Sequence, residues 1–184
     1  MAILKVARIG HPVVRTPARE LSAEEIRSAE IQRLIDDMLE TMHDYEGVGL
    51  AAPQIHVSLR LAVLEIPDSD ERAEAGVPAT VLVNPVVTPL GEEKREGWEG
   101  CLSIPDLRGI VPRFTRLRLS ALDREGRPWE VEGQGFFARV IQHECDHLDG
   151  RVYLDRMAGM RSLSFQREFD RLVAEAEARE GETR

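Results

Sequence analysis

The sequence predicts an α+β fold, because predicted strands fill the middle of the chain and predicted helices flank them. A helical pattern occupies residues 22–45, alternating or valine-rich segments lie between residues 61 and 131, and helical patterns return after residue 135. With 184 residues the chain is long enough for one domain with a sizeable core. We therefore expect residues 1–184 to form a single domain.

The first helix is predicted to begin at Ser22. Ser22 and Glu25 have the spacing of a capping box, in which each side chain bonds the backbone of the other residue. The sequence then continues as one amphipathic helix to about Tyr45. Its apolar stripe is expected to face the core and not a cofactor: Ile31, Leu34, Ile35, Met38, Leu39 and Met42.

Two segments rich in valine and leucine, residues 61–66 and 80–87, are predicted strands. Residues 67–79 between them are predicted to form a polar loop. Further along, apolar and polar residues alternate over residues 116–121, which indicates a half-exposed strand. A turn at residues 123–126 then predicts a partner strand around residues 129–131.

Two helices are predicted after residue 135. Residues 135–142 have an apolar face typical of a helix start, and Gly150 is typical of a helix end. A last helix is expected over residues 162–178, with an apolar face formed by Phe165, Phe169, Leu172 and Val173.

The helix after residue 135 contains the H-E-x-x-H sequence of His143, Glu144 and His147. Two histidines four residues apart share one face of a helix, so both imidazoles can bind one metal ion. The glutamate between them can reach a water on that ion and act as a general base. This motif predicts metal-assisted hydrolysis.

A catalytic site of this kind needs a third protein ligand. The metzincin pattern would place a histidine at position 153, where the chain has Tyr153. The residues leave two candidates, Glu168 downstream and Cys101 upstream. Cys145 points about 200° away from His143 around the helix, so we expect it to be a small buried apolar residue.

A third segment, residues 47–54, is glycine-rich and nearly uncharged. Gly47 and Gly49 are typical of a helix end and of a close backbone approach. Gln54 supplies an amide donor in an otherwise apolar loop. Considered alone, the segment favours a tight turn into the next strand.

Three segments taken together resemble the peptide deformylase family. Its motifs G-x-G-L-A-A-P-Q, E-G-C-L-S and Q-H-E-x-D-H-L-x-G are matched in order by residues 47–54, 99–103 and 142–150. The resemblance spans most of the chain. At the variable position of the last motif stands Cys145, where many relatives have a larger apolar residue. The family fold adds antiparallel sheets packed around a central metal-binding helix, with an N-terminal and a C-terminal helix.

The resemblance implies a single catalytic metallohydrolase domain that binds one divalent ion through Cys101, His143 and His147. Fe²⁺ is the expected native ion, and Zn²⁺, Ni²⁺ or Co²⁺ can replace it. Glu144 would take a proton from water on the metal, and the resulting hydroxide would remove the formyl group of N-formylmethionyl nascent peptides as formate. The family's oxyanion donors correspond to the backbone N–H of Leu102 and the amide of Gln54.

Substrate contacts are expected around the same helix face. Val48, Phe136 and Val140 are candidates for an apolar pocket that holds the methionine side chain, although core packing is an equal alternative for the two helical residues. The remaining substrate-binding candidates are two glycines and two arginines: Gly49, Gly100, Arg108 and Arg139.

We also expect Asp146 to pair with Arg113 and so to orient the metal-binding helix. This pairing would act on the metal ligands through the helix that carries them.

Composition limits the partners. The net charge of −9 argues against a nucleic-acid-binding surface, and no apolar run approaches the length of a membrane span. The N-terminal residues lack a secretory h-region, so a cytoplasmic location is expected. A transient encounter with the ribosome is expected because the substrate emerges there, but the C-terminal segment of mixed charge does not support direct docking.

Two alternatives remain open. The chain could be a zincin peptidase with Glu168 as the third ligand, in which case a Cys101→Ser variant would keep its metal and activity. It could instead be a metal-stabilised binding module without catalysis. A Glu144→Ala variant tests the second alternative. In an enzyme this variant should keep the metal and the fold but lose turnover, whereas the function of a binding module should survive the change.

Overall fold

The computed structural model describes residues 2–182 of the chain, with side chains described for residues 2–175. This part of the chain contains four α-helices and eight strands, joined by loops and short 3₁₀ helices. The helices are α1 (Ala23–Ile26), α2 (Ala29–Asp44), α3 (Gly135–Leu148) and α4 (Gln166–Glu182). The strands are β1 (Gly49–Ala51), β2 (Leu61–Ile66), β3 (Val77–Pro89), β4 (Lys94–Cys101), β5 (Ile104–Phe114), β6 (Arg116–Leu122), β7 (Pro128–Gln134) and β8 (Ser164–Phe165).

The larger sheet has five antiparallel strands in the order β1-β2-β3-β6-β7. Helices cover both of its faces, which explains why β2 is a nearly continuous apolar run. Leu61 and Val63 pack with α2, while Ala62, Leu64 and Ile66 pack with α3. Because alternate side chains of a strand point to opposite faces, β2 belongs to both core clusters.

One face of this sheet is covered by α2. Its stripe is buried as predicted: Ile31, Ile35, Met38 and Met42 are less than 9% exposed, and Leu34 and Leu39 pack at the edge. The prediction of one unbroken helix from residue 22 was wrong. The capping box of Ser22 and Glu25 is present, but it opens only the short α1.

A second cap explains the break between α1 and α2. The side chain of Ser28 accepts a hydrogen bond from the backbone N–H of Ile31 and starts α2 afresh. Serine competes with a continuing helix because its hydroxyl can cap the turn that follows.

The opposite face is covered by α3, which packs Ala138, Ile141, Cys145 and Leu148 against the sheet. Cys145 is a buried free thiol on this packed face, as predicted. The helix ends at Gly150 as expected, in a left-handed conformation with φ of 71°. A Cβ at Gly150 would lie 2.6 Å from the carbonyl oxygen of Arg15, so both the conformation and the space require glycine.

The smaller sheet consists of β4, β5 and β8. Strands β4 and β5 form a hairpin whose tight end pairs Cys101 with Ile104. Strand β5 of the hairpin packs against α3, and the end of β4 meets the C-terminal half of that helix. The predicted arrangement of antiparallel sheets around a central helix is therefore confirmed.

Several element bounds differ from the prediction. The strand expected at residues 80–87 begins earlier, at Val77, so the polar loop is shorter than predicted. The strand at residues 116–122 alternates between buried and exposed side chains as expected, and its partner is β7. The last helix begins at Gln166 and not at residue 162, because residues 164 and 165 pair with β5. Among residues 2–182, no helix is both long and apolar enough to span a membrane.

Candidate metal centre and active-site cleft

The end of β4 and one face of α3 bring three metal-ligating side chains together. Cys101 ends the strand, while His143 and His147 lie one helical turn apart on α3. One ligand atom of each residue lies within 4.8 Å of the other two, and Cys101 Sγ lies 3.2 Å from His147 Nε2. The described residues thus contain a cluster with the composition of a metal site.

The spacing and chemistry of this cluster fit a transition-metal ion. A tetrahedral ion bound at 2.0–2.3 Å separates its ligand atoms by about 3.3 to 3.7 Å. Three ligand atoms within 4.8 Å of one another, two of them 3.2 Å apart, are compatible with that separation. A thiolate with two imidazoles suits Fe²⁺, Zn²⁺, Co²⁺ or Ni²⁺ and disfavours Mg²⁺ and Ca²⁺. The buried Nδ1 of His147 has no hydrogen-bond partner among the described residues, and its Nε2 faces the cluster.

The other candidate for the third ligand lies elsewhere. Glu168 is an exposed residue on α4, and it pairs with Arg171 at 2.7 Å. It does not belong to the cluster around His143 and His147. The geometry therefore favours Cys101 over the zincin alternative.

Glu99 orients one of the histidines. Its Oε2 accepts a hydrogen bond from His143 Nδ1 at 2.9 Å, which leaves His143 Nε2 for an ion. Arg113 donates from Nε and Nη2 to the two carboxylate oxygens, at 2.9 Å each. Burial alone would raise the pKa of Glu99, but the hydrogen bonds from His143 and Arg113 hold this pKa well below its usual range. The carboxylate therefore stays ionised.

The predicted pair of Asp146 and Arg113 is present. Arg113 Nη1 lies 2.5 Å from Asp146 Oδ2, and both side chains are nearly inaccessible to solvent. Arg156 donates to the same carboxylate from Nε at 3.1 Å. Since Arg113 also holds Glu99, a single guanidinium connects α3 to β4 behind the metal cluster.

Two opposing effects act on the thiol of Cys101. Burial raises the pKa of the thiol, whereas the charge of His147 and hydrogen bonds with both cluster histidines lower it, and the net pKa lies well below the ordinary value. The site therefore favours the thiolate, which is the form that binds metal ions.

Glu144 lies beside the cluster, as the H-E-x-x-H spacing predicts. The residue is buried, and its Oε2 has no hydrogen-bond partner among the described residues. Burial raises the pKa of its carboxyl above the ordinary value. A Cβ on Gly49 would lie only 2.3 Å from Glu144 Oε1. Gly49 is thus the residue that leaves room for this carboxylate.

Gln54 and Leu102 lie on the other side of the cluster. Gln54 Oε1 accepts from the backbone N–H of Ala51 at 2.9 Å, which directs its Nε2 toward Ser103 Oγ at 3.3 Å and Cys101 Sγ at 3.5 Å. Leu102 occupies the tight end of the hairpin directly after Cys101. Both residues line the same cleft as Glu144.

The N-terminal segment, residues 7–9, joins the loop that carries Gln54 to the hairpin end that carries Leu102. The backbone N–H of Ala7 donates to the carbonyl of Gln54 at 2.7 Å, and that of Ile9 donates to the carbonyl of Ser103 at 2.8 Å. The segment therefore fixes the position of the Gln54 loop relative to the hairpin end.

A cleft of about 680 Å³ opens above the cluster. Its walls include all seven residues proposed from the sequence for substrate contact: Val48, Gly49, Gly100, Arg108, Phe136, Arg139 and Val140. Arg108 is hydrogen-bonded to Gln166, and its guanidinium lies 5.4 Å from the ring centre of Phe169. The first turns of α4 thus contribute to the rim of the cleft.

Sequence reasoning missed Glu99, Arg156 and the role of the N-terminal segment. A signal for Glu99 was available, because residues two apart on a strand share a face and Glu99 precedes Cys101 by two. Arg156 and the N-terminal segment carry no comparable local pattern, since both reach the site through tertiary contacts.

Known proteins to which this chain is similar belong to one family. The family model described as polypeptide deformylase matches residues 3–162. Peptide deformylase 1 of Bordetella pertussis is 49% identical over 170 residues, covering 89% of this chain and 91% of the relative. The class I type b peptide deformylase of Acinetobacter baumannii, solved with Met-Ala-Ser bound, is 36% identical with a TM-score of 0.79, covering 85% of this chain and 100% of that one. The peptide deformylase of Synechococcus elongatus in complex with actinonin is 35% identical with a TM-score of 0.76, covering 85% of this chain and 79% of that one.

Proposed function

Since the chain belongs to the peptide deformylase family, we propose that Cys101, His143 and His147 hold its metal ion and that Glu144 is its general base. The protein is a metal-dependent hydrolase, and its reaction is the deformylation of nascent peptides. Hydrolysis adds water across the formyl amide and yields formate and a free methionyl amine. When bound, the ion would supply Lewis acidity that polarises the formyl carbonyl and lowers the pKa of an attacking water.

The buried Glu144 Oε2, which has no hydrogen-bond partner in the described part of the chain, is the observation that carries the proposed catalytic role. The carboxylate is buried beside the ligand cluster and faces the cleft, so it is placed to take a proton from the attacking water. Glu144 then delivers that proton to the departing amine nitrogen, and the carbon–nitrogen bond breaks.

Negative charge develops on the formyl oxygen during attack. We assign its stabilisation to the backbone N–H of Leu102 and to Gln54 Nε2, which lies 3.5 Å from Cys101 Sγ. Loss of one such donor typically costs about 3 kcal/mol of transition-state stabilisation. The fixed orientation of Gln54 by Ala51 supports this assignment, because a preorganised donor need not reorient during the reaction.

The methionine side chain is proposed to enter the apolar part of the cleft between Val48, Phe136 and Val140. Gly49 and Gly100 would allow the substrate backbone to approach closely, and Arg108 would contact a peptide carbonyl near the rim. The Acinetobacter enzyme was solved with Met-Ala-Ser bound, and this similarity supports the same class of ligand here.

Formate release from a formyl-Met-Ala-Ser peptide by anaerobically purified protein tests the function, with metal content measured on the same sample. We expect release at about one ion per chain. The Glu144→Gln variant should retain the ion and the fold but lose roughly 100-fold or more in kcat. Full activity in that variant, or no release by folded metal-loaded protein, would contradict the proposal.

Finer assignments extend the proposal. We propose Fe²⁺ as the native ion, a cytoplasmic location, and residues 1–184 acting as one catalytic domain. A transient ribosome encounter follows from the nascent substrate. Elemental analysis of protein purified under argon tests the ion, and Zn²⁺ as the stoichiometric metal under those conditions would contradict the assignment of Fe²⁺.

A further inference from the structure

Arg139 connects the metal-binding helix to the β4–β5 hairpin. Its Nη1 donates to the carbonyls of Gly97 at 3.3 Å and Val111 at 2.9 Å, and its Nη2 donates to the carbonyl of Arg95 at 2.7 Å. Two of these carbonyls belong to β4 and one to β5. One side chain from α3 therefore bonds the backbone of both strands.

The absence of a side chain at Gly97 makes this connection possible. A Cβ there would lie 2.8 Å from Arg139 Nη2 and 2.9 Å from Arg139 Cζ. Gly97 is not among the residues with positive φ, so its backbone does not itself require glycine. Glycine in a strand interior often marks a close approach by another group. Here that group is the Arg139 guanidinium.

The same guanidinium reaches the carboxylate that orients His143. Arg139 Nη1 lies 2.8 Å from Glu99 Oε1, and the two side chains are 12% and 5% exposed. Glu99 in turn accepts from His143 Nδ1. Arg139 precedes His143 by one helical turn, and Glu99 precedes Cys101 by two residues on the strand. The arginine thus lies between the element that carries the histidines and the element that carries the thiol.

We propose that Arg139, seated over Gly97, is a positioning residue that fixes α3 relative to β4 and thereby determines how long the metal ion is retained. This inference rests on the proposed metal centre. Groups that orient metal ligands typically change metal affinity by about 10- to 100-fold when they are removed. Arg113 shares Glu99, but within the described part of the chain its guanidinium bonds Glu99 and Asp146 and not the Gly97 or Arg95 carbonyls, so it cannot replace the connection across the hairpin.

Metal release from Co²⁺-loaded protein to an excess of chelator tests the inference without measuring turnover. The variant Arg139→Met removes the guanidinium and keeps an apolar stem, and Gly97→Ala displaces the guanidinium while leaving Arg139 in place. We expect both to release Co²⁺ about 10- to 100-fold faster than the wild type. The double variant should release Co²⁺ no faster than Arg139→Met, because the methyl group that Gly97→Ala adds then has no guanidinium to displace.

Arg118→Met is the matched control. Arg118 is an exposed arginine on β6 that pairs with Glu130 and Glu132, in the sheet that does not contain β4. Its replacement should leave the release rate unchanged. Arg139→Lys covers a failure of the methionine variant to fold, since it keeps the charge but lacks the planar fork that bonds several carbonyls. We expect it to restore only part of the retention.

Two results would overturn the inference. One is release at the wild-type rate from folded Arg139→Met or Arg139→Lys protein, above all if KM for the formyl peptide rises, since Arg139 would then be a substrate contact. The other is an additive increase in the double variant, which would separate Gly97 from Arg139. Failure of the proposed function looks different, because metal-loaded wild-type protein would then release no formate, whatever its rate of Co²⁺ release; a wrong metal centre would show as wild-type protein that takes up no stoichiometric ion.

Discussion

The buried carboxylate of Glu144 depends on a glycine beside it. In Gly49→Ala the new Cβ would meet Glu144 Oε1 at 2.3 Å, and this side chain, unlike a backbone, can move aside. We therefore expect the fold to survive while kcat falls roughly 100-fold, because a displaced general base loses most of its contribution. Formate release and thermal unfolding, measured on the same preparation, check both parts.

Gly159→Ala is the control for this prediction. Gly159 has open space around it and an extended φ of 176°, so an added methyl group should change neither kcat nor the melting temperature. Full activity in Gly49→Ala would contradict the prediction by showing that catalysis tolerates a displaced Glu144 carboxylate. Global unfolding would contradict it by showing that β1 does not tolerate the added methyl group.

A second carboxylate allows a prediction about pH. Arg19 donates to Glu25 at 2.7 and 3.2 Å, and this pairing, with the backbone N–H of Ser22, lowers the pKa of Glu25 to about 2. Because the folded pKa lies below the unfolded value of about 4.3, the pairing stabilises α1 above that pH, and its contribution is lost as the pH falls through about 2. The side chain is exposed, so the effect on stability is small.

Carbon-detected NMR titration of the Glu25 carboxyl measures this pKa. In Arg19→Ala the midpoint should move upward toward about 4.3. Arg118→Ala, which lies on a different element, should leave it unchanged. An unchanged midpoint in Arg19→Ala would assign the shift to the capping hydrogen bond of Ser22 alone.

The N-terminal segment, residues 7–9, helps to fix the hairpin end at the active-site cleft through its backbone. The N–H of Ile9 bonds the carbonyl of Ser103, which adjoins Leu102 and the metal-binding thiol. In Ile9→Pro this donor is lost, and an unsatisfied buried acceptor typically costs about 1 to 3 kcal/mol. We expect a lower melting temperature and a lower kcat/KM, because the hairpin end that carries Leu102 is less well fixed.

Ile9→Val is the matched variant for this experiment. The side chain of Ile9 is 40% exposed, so the smaller residue keeps the N–H and loses little packing. If Ile9→Pro and Ile9→Val had the same kcat/KM, the N-terminal segment would have no influence on the active site. Comparing the two by urea unfolding separates the hydrogen bond from the side chain.

Helix boundaries show what local patterns can and cannot predict at this scale. The capping box at Ser22 and the end at Gly150 were both recognised, because each depends on residues close in sequence. The break at Ser28 was missed, since the apolar stripe continues beyond it and hides a second cap. The start of α4 was missed because Ser164 and Phe165 pair with β5, a contact between distant parts of the chain.

For the whole molecule, we expect that metal removal lowers the stability of the fold but does not unfold it. The two large core clusters lie on either face of the five-stranded sheet and consist of apolar residues outside the ligand set. An ion at 100 times its Kd adds about 2.7 kcal/mol, which corresponds to a fall of roughly 5 to 10 °C in Tm on chelation for a chain of this size. Circular dichroism should retain its helical signal, and added metal should restore Tm.

Cys101→Ser controls this experiment. Without the thiolate, the protein should melt near the temperature of the chelated wild type, and chelator should change it little. Loss of the helical signal at 25 °C on chelation would instead show that β4 and α3 stay together only through the ion.

From the amino-acid order alone we predict the α+β class, the buried stripe of α2, the alternation of β6, and four candidate site residues: Cys101, His143, His147 and Glu144. These follow from spacing and from ordered motifs, which the chain carries locally. The tertiary contacts bring Cys101 and not Glu168 to the histidines, as the resemblance implied, and they place Glu99 and Arg139 between the strand and the helix. The physical reason is that a strand and a helix about 40 residues apart meet through packing of the hairpin on α3, and no local pattern encodes the distance between them.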